Sequence, residues 1–243
     1  HPDLADNMWK NPGEIPNNSI DDDKYGYIDD VYGWNFAQGN NNPGDSQGHG
    51  THVAGSIAAV GNNGVGITGV GWNTKIMALK AGTGATFNMA NAITATYYAV
   101  DNGAKVSNNS YGGTKYSPAF ANAIKYAKDK NHLFVAAAGN SRVNNDVSPH
   151  YPGSYTYENI IAVAATNEND GRAYFSCYGS NSVDLGAPGT TILSTYPGST
   201  YSIMQGTSMA TPHVAGAAAV LWSFAPYLDL ATVKQYILES GDP

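Results

Sequence analysis

Four short segments hold the side chains able to do nucleophilic, acid or base chemistry: GHGTHVAG at 48–55, KVSNNSYGG at 105–113, AAAGN at 136–140 and GTSMATPHVAG at 206–216. Ser208 follows Gly206 and Thr207 and opens a long apolar stretch, so its backbone N–H points outward at the positive end of a helix dipole. A hydroxyl and an N–H at one place can supply a nucleophile and half of an oxyanion hole. Pro212 is tolerable in the first helical turn, where its missing donor costs nothing, which predicts a helix start at Ser208 or Met209. A serine needs a neutral imidazole to take its proton. His49 and His52 stand at the other glycine-framed helix start, His49 ahead of the helix and His52 in its first turn. A lone helical histidine is more often structural, and the need for a base shifts that balance for His49.

The elements that must position these residues follow from apolar periodicity. Helices are predicted over 51–60, where Val53, Ala54, Ile57 and Ala58 repeat at three and four residues, and over 88–103, 117–131, 208–224 and 229–240. Ser117 caps the third of these and Pro118 takes its first position. Strands are predicted at 74–80, 105–110, 133–139, 160–166, 191–195 and 201–204. Alternating helices with continuously apolar strands predict a three-layer, doubly wound α/β fold with a mostly parallel sheet. No linker or repeat divides residues 1–243, so one domain is expected. Residues 1–50, rich in Asn, Asp, Gly and Pro, read as irregular surface. Functional groups in such a fold gather beyond the carboxyl ends of strands, where NNSYGG and AAAGN lie. Their small residues leave backbone groups open to an extended peptide, although the same glycines also suit ordinary turns.

Composition removes several classes of function. Twelve Lys and Arg against 19 Asp and Glu give a net charge of −7, and the two arginines, Arg142 and Arg172, form no basic patch for nucleic acid. No run of eighteen apolar residues could cross a bilayer. The single Cys177 excludes an internal disulfide framework and, with no second Cys, disfavours a structural zinc site. A charge-poor surface rich in Asn and Tyr remains compatible with secretion.

GHGTHVAG, AAAGN and GTSMATPHVAG, in that order, resemble the three signature segments of the subtilisin-like serine proteases, and the likeness runs from HPDL at residue 1 to the last helix. The resemblance implies a secreted serine endopeptidase in which Ser208 is the nucleophile, His49 the general base and Asn140 an oxyanion donor beside the Ser208 N–H. It further implies that a polypeptide substrate lies between Ser110-Tyr111-Gly112 and Gly82-Thr83-Gly84. Ser110 to Gly112 and Ala138-Gly139-Asn140 would wall the main specificity pocket, with His150 near its floor. An esterase of the α/β-hydrolase kind does not fit, because its histidine follows its serine.

The family's acid lies on a strand ahead of HPDL, and Asp3 resembles a family calcium ligand, not that acid. The resemblance therefore implies that an upstream amino-terminal segment of the same precursor supplies the catalytic Asp. A pro-segment or inhibitor is a further possible partner. The competing reading is an inactive peptide-binding or scaffold protein of the same fold. Structural calcium is expected at two places. One is Asp3 with Asn63 of GNNGVG; the other is DDDKYGYIDD, where Asp21, Asp23 and Asp29 fall at positions 1, 3 and 9 of a half EF-hand pattern that lacks its closing Glu. A merely solvated acidic loop is the alternative for the second.

Overall fold

The computed structural model describes residues 1–84 and 86–242. Its centre is a four-stranded parallel sheet in the order β5 (Val106–Asn109), β6 (Leu133–Ala137), β7 (Ile160–Thr166), β8 (Leu185–Pro188). Register is set by pairs such as Asn108 with Val135 and Ala136 with Ala162. β6 is fully buried because both of its faces are covered. Phe134, Ala136 and Ile160 pack beneath α2 (Met89–Asp101) and α3 (Pro118–Asp129) through Ala92, Phe120 and Ile124. Leu133, Val135, Ile161 and Val163 point the other way, onto Ala210, Val214, Ala218 and Trp222 of α4 (Thr207–Phe224) and Val233 of α5 (Leu230–Glu239). Period-two alternation thus splits one apolar run into two cores, which gives the three expected layers.

A separate parallel pair joins β1 (Gly33–Asn35) to β2 (Ala78–Lys80). The remaining strands form two hairpins: β3 (Gly82–Thr83) with β4 (Thr86–Phe87), and β9 (Ile192–Tyr196) with β10 (Thr200–Met204). The strand expected over 74–80 covers only Ala78–Lys80 as β2 and is half-buried. It pairs with β1 alone, and β5 pairs with β6 alone, so among the described residues each has an open edge.

α1 (His49–Ala58) begins two residues earlier than its periodicity suggests, with Gly48 at its N-cap and Asp45, three residues upstream, taking up the open amides there. The Asp45 carboxylate accepts from the amides of Gln47, Gly48 and Thr51 and from the Thr51 hydroxyl. The amino-terminal segment is not the loose surface its composition suggests. It buries Asp3, Asn7, Asn11, Glu14, Asp29, Asp30 and Asn35 and pairs them both within the segment and with the rest of the chain, as when Asn7 Nδ2 donates to the carbonyls of Ala58 and Trp72.

His132 shows what such burial costs. Its Nδ1 donates to the Ala104 carbonyl at 2.6 Å, Nε2 is buried without a partner, and desolvation holds the imidazole down to about 4. A group depressed in the folded state stabilises above the unfolded value near 6.5 and loses that contribution as pH falls toward 4, on the order of 3 kcal/mol in all. Denaturation of wild type and His132→Gln between pH 7 and 4 should show a shallower acid loss in the variant. Equal slopes would remove His132 as the cause.

Candidate active site

Gly206, at φ 149° and without a side chain, turns the chain from β10 into α4. The helix starts at Thr207, so Pro212 lies beyond the first turn, contrary to expectation. What makes this tolerable is the fate of the orphaned Ser208 carbonyl, which would have received the missing N–H: the Ser110 hydroxyl donates to it at 2.8 Å. The Ser208 hydroxyl in turn donates to the Ser110 carbonyl at 3.2 Å. This reciprocal pair pins the start of α4 to the end of β5.

Asn140 stands just past β6. Its side-chain oxygen accepts from the Thr207 N–H and the Thr207 hydroxyl, both at 2.9 Å. A backbone N–H can only donate, so the carboxamide orientation is fixed and Nδ2 faces away from Thr207. A Cβ built on Gly206 would lie 3.4 Å from Asn140 Nδ2 and 3.6 Å from the Ser208 nitrogen. Two donors without protein partners among the described residues therefore converge on one notch kept empty by a glycine. Thr207, which sequence reasoning did not single out, organises this arrangement, and its hydroxyl also accepts the Gly139 N–H at 3.2 Å.

His49 opens α1, half-buried. Burial lowers its pKa, with the Asp45 charge pushing back up and His52 adding to the lowering. No hydrogen bond joins its ring to Ser208 among the described residues; the serine hydroxyl is turned to Ser110 instead. The two helix starts nevertheless lie at the same end. Met209 packs with Val53, Ile57 and Ala58, and His52 feels the charge of His213. The β9–β10 hairpin ties them together: Thr195 and Ser194 hydroxyls donate to the carbonyls of Thr51 and His52, and β10 leads directly into Gly206. His52 is structural. It is fully buried, and its Nε2 lies 3.0 Å from the carbonyls of both Ile192 and Ser202, which can only accept.

The expected peptide-binding segments are also neighbours. Gly82 and Thr83 form the first strand of the β3–β4 hairpin, and Gly84 is in its turn. Phe87 of that hairpin stacks on Tyr111 at 4.7 Å, which joins it to Ser110-Tyr111-Gly112. Ala138 is closed off, its N–H on Val163 and its carbonyl on Asn145, while the Gly139 carbonyl accepts from Cys177. The Cys177 thiol is fully buried, 3.3 Å from the Ser141 hydroxyl.

At the acidic loop, carboxylate oxygens of Glu14, Asp21 and Asp23 lie within 4.8 Å of one another. Glu14 was missed, being outside the Asp-rich run. Asp29, expected in the set, is not part of it: its oxygens accept the amides of Asn18 and Ser19. Asp21 Oδ1 is buried without a donor, and none of the three ion pairs among the described residues involves this loop. Burial, opposed by hydrogen bonds from Tyr98 and Asn11 and reinforced by Asp23 and Asp21, pushes the Asp30 carboxyl up. Crowded, uncompensated oxygens of this kind fit a hard cation. Asp3 and Asn63 do meet, but as a hydrogen bond in which Asn63 Nδ2 donates at 2.8 Å; Ile67 N–H and the Tyr201 hydroxyl donate to the other Asp3 oxygen. Asn63 turns its nitrogen, not a ligand oxygen, toward Asp3.

This architecture, with its serine at a helix start beside a two-donor notch, is that of a doubly wound α/β protein of the subtilisin kind. The model of the Subtilase family matches residues 1–242, and the chain belongs to that family. It is 47% identical over 197 residues to thermitase of Thermoactinomyces vulgaris, covering 79% of this chain and 67% of thermitase. It is 35% identical to subtilisin-like protease 1 of Plasmodium falciparum, covering 99% of this chain and 38% of the relative. Among solved structures, proteases from Pseudoalteromonas arctica PAMC 21717 superpose with a TM-score of 0.75 at 34% identity, over 80% of this chain and 64% of theirs.

Replacing Thr207 by Val should leave the Asn140 oxygen with the backbone N–H as its one remaining donor and strand the buried Gly139 N–H, lowering stability by about 1–3 kcal/mol. Urea denaturation measures this; an unchanged midpoint would mean that the threonine hydroxyl does not hold the site together.

Proposed function

We propose that the chain is the body of a secreted serine endopeptidase that cleaves peptide bonds through an acyl-enzyme. The observation that carries this reading is the convergence of Asn140 Nδ2 and the Ser208 N–H on the notch beside the Ser208 hydroxyl. Ser208 attacks the peptide carbonyl after its hydroxyl turns from Ser110, and His49 takes the proton. The carbonyl oxygen, now charged, enters the notch and gains both donors. His49 returns the proton to the leaving amine, and water, deprotonated by the same imidazole, releases the acyl group. Substrate lies extended between Ser110-Tyr111-Gly112 and Gly82-Thr83-Gly84, with its side chain in a pocket walled by Ala138 and Gly139.

We infer that the acid orienting His49 arrives on an additional strand seated between the open edges of β2 and β5, from an amino-terminal segment of the same precursor. The backbone groups left unpaired along both edges among the described residues support a partner there. The chain spans 38% of the Plasmodium relative, in keeping with a longer polypeptide. A pro-segment or inhibitor would occupy the same cleft as substrate. Residues 1–243 act as one domain in this reading.

Structural Ca²⁺ fits Glu14, Asp21 and Asp23, which would hold it through hard carboxylate oxygens. At Asp3 the same ion requires the Asn63 amide to turn over. Calcium should raise the melting temperature and excess chelator lower it, with Glu14→Gln blunting the difference. A melting curve indifferent to chelator would exclude both sites.

For activity, a fluorophosphonate should label Ser208, and Asn140→Ala should lower kcat on a peptide substrate about 10²- to 10³-fold with little change in KM. Because burial depresses His49, its imidazole in residues 1–243 alone should titrate below the ordinary value near 6.5 in an NMR titration, and titration at or above that value would remove burial as the controlling cause. Peptide binding with no labelling and no turnover would favour the inactive scaffold.

A further inference from the structure

His150 fills the space beside two glycines from the segments assigned to the pocket walls. A Cβ on Gly112 would lie 2.4 Å from His150 Nε2, and one on Gly139 would lie 3.0 Å from its Cγ and Nδ1. The imidazole thus lies against both walls, and it adds to the Tyr151 carbonyl, 2.6 Å from a Cβ on Gly112, and to the φ of 104° at Gly139 in keeping both residues glycine. Its own backbone is held on each side. The His150 N–H donates to the Ser154 hydroxyl at 3.0 Å, the Ser154 N–H donates to the His150 carbonyl at 2.9 Å, and Tyr151 exchanges two 2.8 Å hydrogen bonds with Gly113. The ring itself is half-buried, and neither ring nitrogen has a hydrogen-bond partner among the described residues. No neighbouring charge shifts its titration; burial alone lowers it, so the ring is neutral at neutral pH and keeps one N–H to give.

We propose that His150 is a specificity-determining residue whose ring N–H receives the side chain preceding the cleaved bond, selecting side chains that end in a carboxamide or carboxyl oxygen, glutamine foremost, over large apolar ones. This deepens, and rests on, the proteolytic reading of the Ser208 site. The ring takes up the depth that an aromatic or long aliphatic side chain would need. It offers in return a donor whose burial against an apolar side chain would leave it unpaired, and discrimination of this kind comes from that unpaired group.

Peptide amides Ala-Ala-Pro-X, with X being Gln, Glu, Leu or Phe, test the assignment on the chain produced from its precursor. Wild type is expected to favour Gln and Glu over Leu and Phe by about tenfold or more in kcat/KM. His150→Leu, which keeps volume but removes the donor, should erase that preference, and His150→Gly should shift it toward Phe. Equal turnover of Gln and Leu by wild type, or an unchanged ratio in His150→Leu, would overturn the proposal while leaving the proteolytic reading intact. Absence of turnover on every peptide would instead strike that reading. The pocket is then tested by binding of the product acids Ala-Ala-Pro-X to Ser208→Ala, where the same ranking supports His150 and equal or absent binding refutes it.

Discussion

The oxygen of the Asn140 carboxamide is held by two donors of Thr207, and from that restraint the rest of the site follows. With the oxygen occupied, the nitrogen must face the Gly206 notch, where the Ser208 N–H already points. Both donors are fixed in advance, so in the proposed reaction an oxyanion forms there with little reorganisation. The restraint works only while Thr207 is the first residue of α4 and Asn140 immediately follows β6. The packing of α4 against the sheet through Ala210, Val214 and Ala218 maintains this.

Holding that helix start in place makes demands elsewhere. Pro212 removes a helical hydrogen bond one turn inside, and Ser110 replaces it from β5. α1 reaches the same end of the molecule because the β9–β10 hairpin grips its first turn and continues into Gly206. The polar interior of the amino-terminal segment closes against this unit without aliphatic bulk. Its buried carboxylates are met by amides, and at Glu14, Asp21 and Asp23 negative charge accumulates without a basic partner.

Much of this was legible in the sequence, and the reasons for success and failure differ by element. The helices 118–129 and 207–224 and the strands 133–137 and 160–166 carry long apolar runs whose period or continuity fixes their type. β1, β3, β4 and β8 were not anticipated: all are short, β1 and β8 contain glycine and pair with strands distant in sequence, and β3 and β4 are two-residue arms of one hairpin, too brief to show a period. His49, Ser208 and Asn140 were singled out because their flanking segments resemble family signatures. Asp45 and Thr207 were not, because their work is done through hydrogen bonds that only the folded chain brings together. The exchange of Asp29 for Glu14 in the acidic group has the same origin: spacing within a loop says nothing of a residue that folds back onto it.

A peptide aldehyde bound to the assembled enzyme, solved by crystallography, probes the central claim most directly. The account predicts a bond from the Ser208 Oγ to the aldehyde carbon, with the resulting oxygen lodged between Asn140 Nδ2 and the Ser208 nitrogen. An oxygen pointing away from both donors, or an adduct on another residue, would contradict it.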